Sequence, residues 1–343
     1  MSDVRCTPES ADIAEGVTHT LIQGDALKVS FCLQDEAMPR TEYWQQFITA
    51  MRQSDFFTEG NADILVPNED TAMETNWPRY GNMDSAYIRG DRRMHEVKVS
   101  SLFHRYFLRA VEFCKSNQTK KILYINMHPF FRPPLLLRGM KNVIVADVSL
   151  AMFERNLNRN TISMPTLPIA FSNSPKLGLR PVIASFQGRN SHPIRDHLKQ
   201  IANDKTIIIN FVGQDHFGKL DATSGRTDHS YYQLLESSTF AFIPRGDALF
   251  SYRLIEAMSF GCIPIILSDG WVLPFDRVVP WERMSLRMHA DGIPGLPQIL
   301  SSLSNDEILE RQNEVIRCYR KHFADIAAMI ASLFTEVERL RAS

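Results

Sequence analysis

The chain lacks most of the signals that would assign it to a metal, membrane or nucleic-acid class. Its five cysteines, Cys6, Cys32, Cys114, Cys262 and Cys318, are scattered over 343 residues and form no Cys-x-x-Cys pair. A structural zinc cluster uses such paired thiolates, so the spacing speaks against one. An odd count, with Cys262 inside a strand-like apolar run, fits a reducing compartment better than a disulfide framework. Charge of either sign is not in excess: 38 basic and 39 acidic residues leave a net charge of −1. No global field is present to attract nucleic acid. No apolar run reaches the ~18 residues that span a bilayer, and no signal-peptide pattern opens the chain. The Gly-x-Gly-x-x-Gly fingerprint is also missing, which disfavours a dinucleotide-dependent dehydrogenase.

What is present is an ordinary globular composition, 44% hydrophobic and 22% charged, long enough for roughly two domains. Residues 1–26 are polar and read as an arm. From there apolar strand patterns alternate with helical ones. Leu27–Leu33, Ala62–Val66, Lys121–Asn126 and Asn142–Ala146 read as strands. Tyr43–Ser54, Ser101–Lys115 and Leu150–Asn158 carry helical spacing. A long irregular segment, residues 68–93, separates two of them, and a loop of that length in a compact domain is usually functional or mobile. The second half repeats the alternation. Val182–Phe186 and Thr206–Val212 are strands, Pro193–Ile201 and Tyr231–Ser237 helices, and Ile299–Phe323 and Ala327–Leu340 long amphipathic helices. Such alternation predicts parallel sheets, hence an α/β protein. The boundaries read as 27–175 for a first parallel-sheet domain and 176–322 for a second, with 323–343 as a final helix.

The most informative stretch is TFAFIPRGDALFSYRLIEAMSFGCIPIILSDGWVLPF, residues 239–275. Phe240, Phe242 and Ile243 make a buried-type strand, which Pro244 and Gly246 break into a turn. Ser251 is placed to cap a helix whose apolar face carries Leu254, Ala257 and Met258. Gly261 suits the left-handed residue that ends a helix, and Cys262–Leu267 is the next strand. In an open parallel sheet, ligands bind where a strand feeds a helix. Here that junction carries Arg245, Asp247, Ser251, Tyr252 and Arg253.

The run PRGD…SYRLIEAMSFGCIPIILSDGWVLPF closely resembles the signature of the exostosin family of glycosyltransferases, glycosyltransferase family 47. Arg180–Arg189, followed by Ile194-Arg195, resembles the family's strand-Gly-Arg segment, and Ile162–Pro168 its linker strand. The resemblance implies a GT-B architecture, two Rossmann-like parallel-sheet domains facing across a cleft, with the last helix, 323–343, crossing back to the first. It implies inverting transfer of a sugar from a nucleotide donor, UDP-linked, to a hydroxyl of a glycan acceptor. Animal and plant members carry an N-terminal anchor. Without one, a soluble cytoplasmic enzyme of bacterial or viral type is expected, or else the trimmed catalytic domain of a Golgi-type protein.

Such an enzyme needs groups for the ribose, the diphosphate and the acceptor hydroxyl. Glu256, about a turn into the helix, can accept two hydrogen bonds from vicinal ribose hydroxyls. The resemblance assigns it that role; the residues alone equally allow an ion pair with Arg253 on a solvated helix face. Arg245, at a strand end, and Arg253 can fork onto diphosphate oxygens. Ser251 and Tyr252 can donate to phosphate at the helix start, or Ser251 can serve as a plain cap. Gly188-Arg189 sits at another strand-to-helix turn, where a glycine lets backbone approach phosphate. Asp269 contacts the sugar, or forms an Asx turn with Gly270. No Asp-x-Asp triplet occurs; clustered carboxylates would be needed to hold a hard cation on the diphosphate, so transfer without a metal or other cofactor is expected. The base is expected from the first domain. His128 follows a strand end, and an imidazole of pKa near ~6.5 suits proton abstraction at neutral pH. Asp147, ending the next strand, is its rival, with His95 and Asp91 behind; His216 and Asp215 can line the donor pocket, and Trp77 and Tyr80 can stack on acceptor sugars. A non-catalytic glycan-binding subunit and a UDP-sugar epimerase are the alternatives on this fold.

Overall fold

The computed structural model describes residues 27–32, 42–59, 62–67, 114–127, 137, 139–166, 172, 174–203, 205–212 and 229–342. His128, His95, Asp91, Asp215, His216, Trp77, Tyr80 and nearly all of the helix expected over Ser101–Lys115 lie outside the described residues.

Two five-stranded sheets follow one another along the chain. The first contains β1 (Val29–Cys32), β2 (Ile64–Pro67), β3 (Lys121–Asn126), β4 (Val143–Asp147) and β5 (Thr161–Ser163), in that spatial order and all parallel. The second contains β6 (Val182–Gly188), β7 (Ile207–Phe211), β8 (Ser238–Pro244), β9 (Ile263–Leu267) and β10 (Leu286–Arg287), in the order β10-β9-β8-β6-β7 and again all parallel. Every side chain of β4, β8 and β9 is buried. Strands buried on both faces need cover on both, which parallel sheets receive from their crossover helices. Two parallel α/β sheets in series are the GT-B layout.

The helices among the described residues are α1 (Glu42–Arg52), α2 (Met152–Leu157), α3 (Ile194–His197), α4 (His229–Ser237), α5 (Arg253–Ser259), α6 (Trp281–Met284), α7 (Leu296–Ser302), α8 (Asn305–His322) and α9 (Ile326–Ala342). The helix expected over Pro193–Ile201 is shorter: α3 tightens into a 3-10 turn at Leu198–Gln200. The one expected over Ile299–Phe323 is two helices. Ser304 accepts from the Glu307 N–H while the Glu307 carboxylate accepts from the Ser304 N–H at 2.8 Å, a reciprocal capping box that starts α8 afresh. No described helix is long and apolar enough to cross a membrane.

The two sheets share one continuous apolar core. Residues 270–275 run along the edge of the first sheet. Trp271 forms an antiparallel bridge with Ala151, and the Phe275 N–H donates to the Ser163 carbonyl at 2.7 Å. Ser163 Oγ donates to the Val272 carbonyl at 2.6 Å. Phe275 holds a left-handed φ of 52°, a conformation that costs a bulky residue about 1–2 kcal/mol; its ring is fully buried and stacks on Phe323 at 5.8 Å. Next to it, Asp276 takes a forked pair of bonds from Arg155 at 2.7 and 2.9 Å. Arg277 bonds the Thr161 carbonyl of β5 and the fully buried Glu336 carboxylate of α9, both at 3.0 Å. Helix α9 therefore packs on the first unit, where Phe334 stacks on Phe56 at 4.8 Å.

His322 closes α8 in a buried position. The hydroxyl of Ser332 donates its one proton to the Ala328 carbonyl, so the His322 Nδ1, 2.8 Å away, must be the donor to Ser332 Oγ. Burial, with Lys321 and Arg317 nearby, lowers the His322 pKa from 6.5 to about 4. Below that upper value the unfolded chain binds a proton that the folded imidazole refuses, so stability falls as the pH drops through the window. The expected loss between pH 7 and pH 5 is about 1–2 kcal/mol. Urea titrations at both pH values check this: His322→Asn should show a smaller loss over the same interval, and an equal loss would remove His322 as its source.

Candidate functional site

The site is built from the carboxyl ends of β6 and β8 and from α5 beyond them. Strand β8 ends at Pro244, and the Arg245 N–H still continues the ladder to the Leu267 carbonyl at 3.0 Å. The chain then turns through Gly246 and Asp247 and enters α5. Gly261 ends that helix with a left-handed φ of 74°, and a side chain there would meet the Lys176 carbonyl at 2.8 Å. The segment so folded presents Arg253 and Glu256 from the first turn of α5.

Arg253 lies across the end of β6. Its Nε donates to the Gln187 carbonyl at 2.9 Å and its guanidinium sits 5.0 Å from the Phe186 ring centroid. A Cβ on Gly188 would fall 1.9 Å from Arg253 Nη2. A side chain at 188 would displace this guanidinium, which occupies the space that a Cβ would take.

Arg195, only 5% exposed, was not among the site residues expected from sequence, yet it organises this region. Its guanidinium donates to three backbone carbonyls: Arg189, Arg245 at 3.0 Å and Pro244 at 3.3 Å. It too packs against Phe186, at 5.4 Å. The turns after β6 and after β8 are thus tied together by one side chain. Burial, with Arg253 alongside, lowers its pKa to about 9, so it stays charged at neutral pH. His192 sits in the same field: burial, then Arg245 and Arg195, lower its pKa, and its Nδ1 accepts the Ile194 N–H at 3.2 Å. Arg245 is half-buried and folds its side chain back onto the carbonyls of Gly246 and Asp247, at 3.3 and 3.4 Å. Arg189 is half-buried at the mouth of the same turn. The arrangement concentrates positive charge at two adjacent strand ends.

Glu256 is 5% exposed. The alternative of an ion pair on a solvated helix face is therefore wrong for this residue. Its Oε2 accepts the Tyr231 hydroxyl at 2.8 Å, and Tyr231 was not expected from sequence. Burial, then the Glu256 charge, pushes the Tyr231 phenol well above its usual range, so it remains a proton donor.

Ser251 does not cap α5. The residue at the cap position is Tyr252, already helical at φ −53°, with no side-chain cap bond. Ser251 Oγ is buried and has no partner among the described residues, while its carbonyl accepts the Leu254 N–H at 3.1 Å. Tyr252 is half-buried with its ring edge-on to Phe250 at 5.0 Å. Asp269 is exposed and pairs with His289 at 2.8 Å. Asp147, ending β4, is 1% exposed and accepts the Ser149 N–H at 2.9 Å; Ser149 Oγ in turn accepts the Leu249 N–H of the second unit at 3.2 Å. That engagement makes Asp147 part of the junction between the sheets. The structure brings Gly188, Arg189, Arg245, Arg253 and the unforeseen Arg195 together, with Glu256 three residues beyond Arg253 in the first turn of α5.

The Exostosin GT47 domain model matches residues 127–303, just over half of the chain, and so encloses every residue of this site. Among curated proteins, the rice "Probable glucuronosyltransferase GUT1" is 34% identical over 146 residues, 36% of this chain and 35% of that protein. Drosophila melanogaster "Exostosin-1" is 32% identical over 113 residues, 33% of this chain and 15% of that protein. The chain thus spans about a third or less of the length of these relatives. A solved glycosyltransferase from Rickettsia africae ESF-5 is 11% identical, with a TM-score of 0.46 over 93% of this chain and 100% of that one. With the family model covering more than half of its residues, the chain belongs to the exostosin GT47 domain family.

Proposed function

We propose that the protein transfers a sugar from a UDP-sugar to a hydroxyl of a glycan acceptor, with inversion at the anomeric carbon and without a metal ion. The observation that carries this reading is the convergence of Arg195, Arg245 and Arg253 on the carboxyl ends of β6 and β8. The diphosphate of the donor already carries two negative charges, and a third develops on its departing oxygen as the sugar is transferred. Guanidinium groups fixed in place before the reaction stabilise that charge without reorganising. Arg245 and Arg253 are the groups assigned to the phosphate oxygens, with Arg189 at the mouth; Arg195, turned onto carbonyls, contributes charge and holds the two turns. Glu256 is assigned to the ribose hydroxyls.

The acceptor hydroxyl attacks the anomeric carbon as the bond to the UDP oxygen breaks, and its proton passes to a base of the first domain. His128 is assigned that role in preference to Asp147, because Asp147 is buried and bonded to the Ser149 N–H. Positioning and electrostatics supply most of the acceleration.

Calorimetric titration of UDP, with and without EDTA, tests this. Wild type is expected to bind in both conditions, and Glu256→Gln to bind at least about tenfold more weakly. No UDP binding by wild type would sink the donor assignment; binding abolished by EDTA would sink the metal-free mechanism alone.

A second variant isolates the guanidinium. In Gly188→Ala the new methyl group collides only with the far end of a flexible side chain, so the fold tolerates it while Arg253 is displaced. The melting temperature should move little and UDP affinity should drop about tenfold. Equal UDP affinity in this variant would mean that Arg253 does not bind the diphosphate.

A further inference from the structure

We propose that Tyr231 is a positioning residue that sets the carboxylate plane of Glu256 for the two ribose hydroxyls, so that preference for a ribonucleotide over its dideoxy counterpart depends on Tyr231. The inference rests on the assignment of Glu256 to the ribose.

A glutamate side chain has a soft last torsion, and a carboxylate turns readily about it. To accept from two vicinal hydroxyls at once, its two oxygens must lie in one fixed plane. A single directed donor to one oxygen fixes that plane in advance, and removes the entropy cost of doing so on binding. The Tyr231 hydroxyl, 2.8 Å from Glu256 Oε2, is such a donor.

The donor is itself held rigidly. Its neighbour Tyr232 stacks on Phe260 at 5.7 Å. Glu256 and Phe260 are four residues apart, so adjacent residues of α4 engage the first turn of α5 and the residue that ends it. One residue earlier, Ser230 Oγ accepts from Gln187 Nε2 at 3.2 Å, and the Gln187 carbonyl accepts from Arg253 Nε at 2.9 Å. The first turn of α4 is therefore tied both to the carboxylate and, through β6, to the guanidinium. Burial keeps the phenol protonated throughout the working pH range.

The experiment compares UDP with 2′,3′-dideoxy-UDP by calorimetry in wild type, Tyr231→Phe and Tyr231→Gln, with melting curves in parallel. Wild type is expected to prefer UDP. Tyr231→Phe should bind UDP about tenfold more weakly and dideoxy-UDP with unchanged affinity. Tyr231→Gln, which keeps a donor, should retain part of the preference. Equal weakening of both ligands in Tyr231→Phe would show that the tyrosine acts only through the fold, and an unchanged preference would show that it does not orient Glu256; either overturns the inference and leaves the ribose assignment standing. Equal affinity of wild type for the two ligands would instead remove the ribose assignment, and this inference with it. If Tyr231→Phe does not fold, the same comparison in Tyr231→Gln decides: a preference for UDP as large as that of wild type overturns the inference.

Discussion

Parallel strands that end side by side leave their last carbonyls pointing into the space where a ligand must sit. Buried carbonyls need donors, and a neutral donor would do no more than satisfy them. Arg195 satisfies three at once and places a charge there as well. An arginine is suited to this because its planar fork presents several donors in fixed directions and stacks on an aromatic face; Phe186 supplies that face for both Arg195 and Arg253. The turns after β6 and β8, the course of Arg253 and its place over Gly188 all follow from how these two guanidiniums share the one ring. The cost is the burial of a charge and, after it, the close approach of a like one, which together lower the pKa of Arg195. Such a site is most stable with an anion present.

Much of this was readable in the chain. The Phe240–Ile243 run, the polar turn, the apolar spacing of Leu254, Ala257 and Met258, and Gly261 specify β8, α5 and β9 by local rules, and the structure has them in that order. Local rules failed where the partner is distant. Arg195 stands in the sequence only as part of a family-like segment, because two of its acceptors, at 244 and 245, are brought to it by the pairing of β6 with β8. Tyr231 is amphipathic-helix material until α4 is laid against α5. Ser251 stands where a cap would precede an apolar face, yet Tyr252 is already helical and the serine side chain is buried instead. The break between α7 and α8 was legible after all, in the Ser304-x-x-Glu307 pattern, and was obscured by the apolar periodicity that continues across it.

The junction between the sheets uses different physics from the site. It is made of backbone bonds, such as the Phe275 N–H to the Ser163 carbonyl, and of charged forks, such as Arg155 on Asp276. These are directional contacts with one good geometry each, added to a close-packed apolar core. Phe275 shows how strongly the arrangement is determined, since a strained backbone persists only where its surroundings hold it.

Helix α9 gives the protein a history as well as a shape. Its Phe334 and Glu336 complete the first unit, against Phe56 and, through Arg277, against Thr161. A ribosome delivers Phe56 and Thr161 long before residues 326–342, at a pace of about 5–20 residues per second. For many seconds the first sheet stands with an apolar face uncovered, while the second sheet is still being made. The unit begun first is the one finished last, and any agent that shields exposed apolar surface during synthesis has its longest opportunity there.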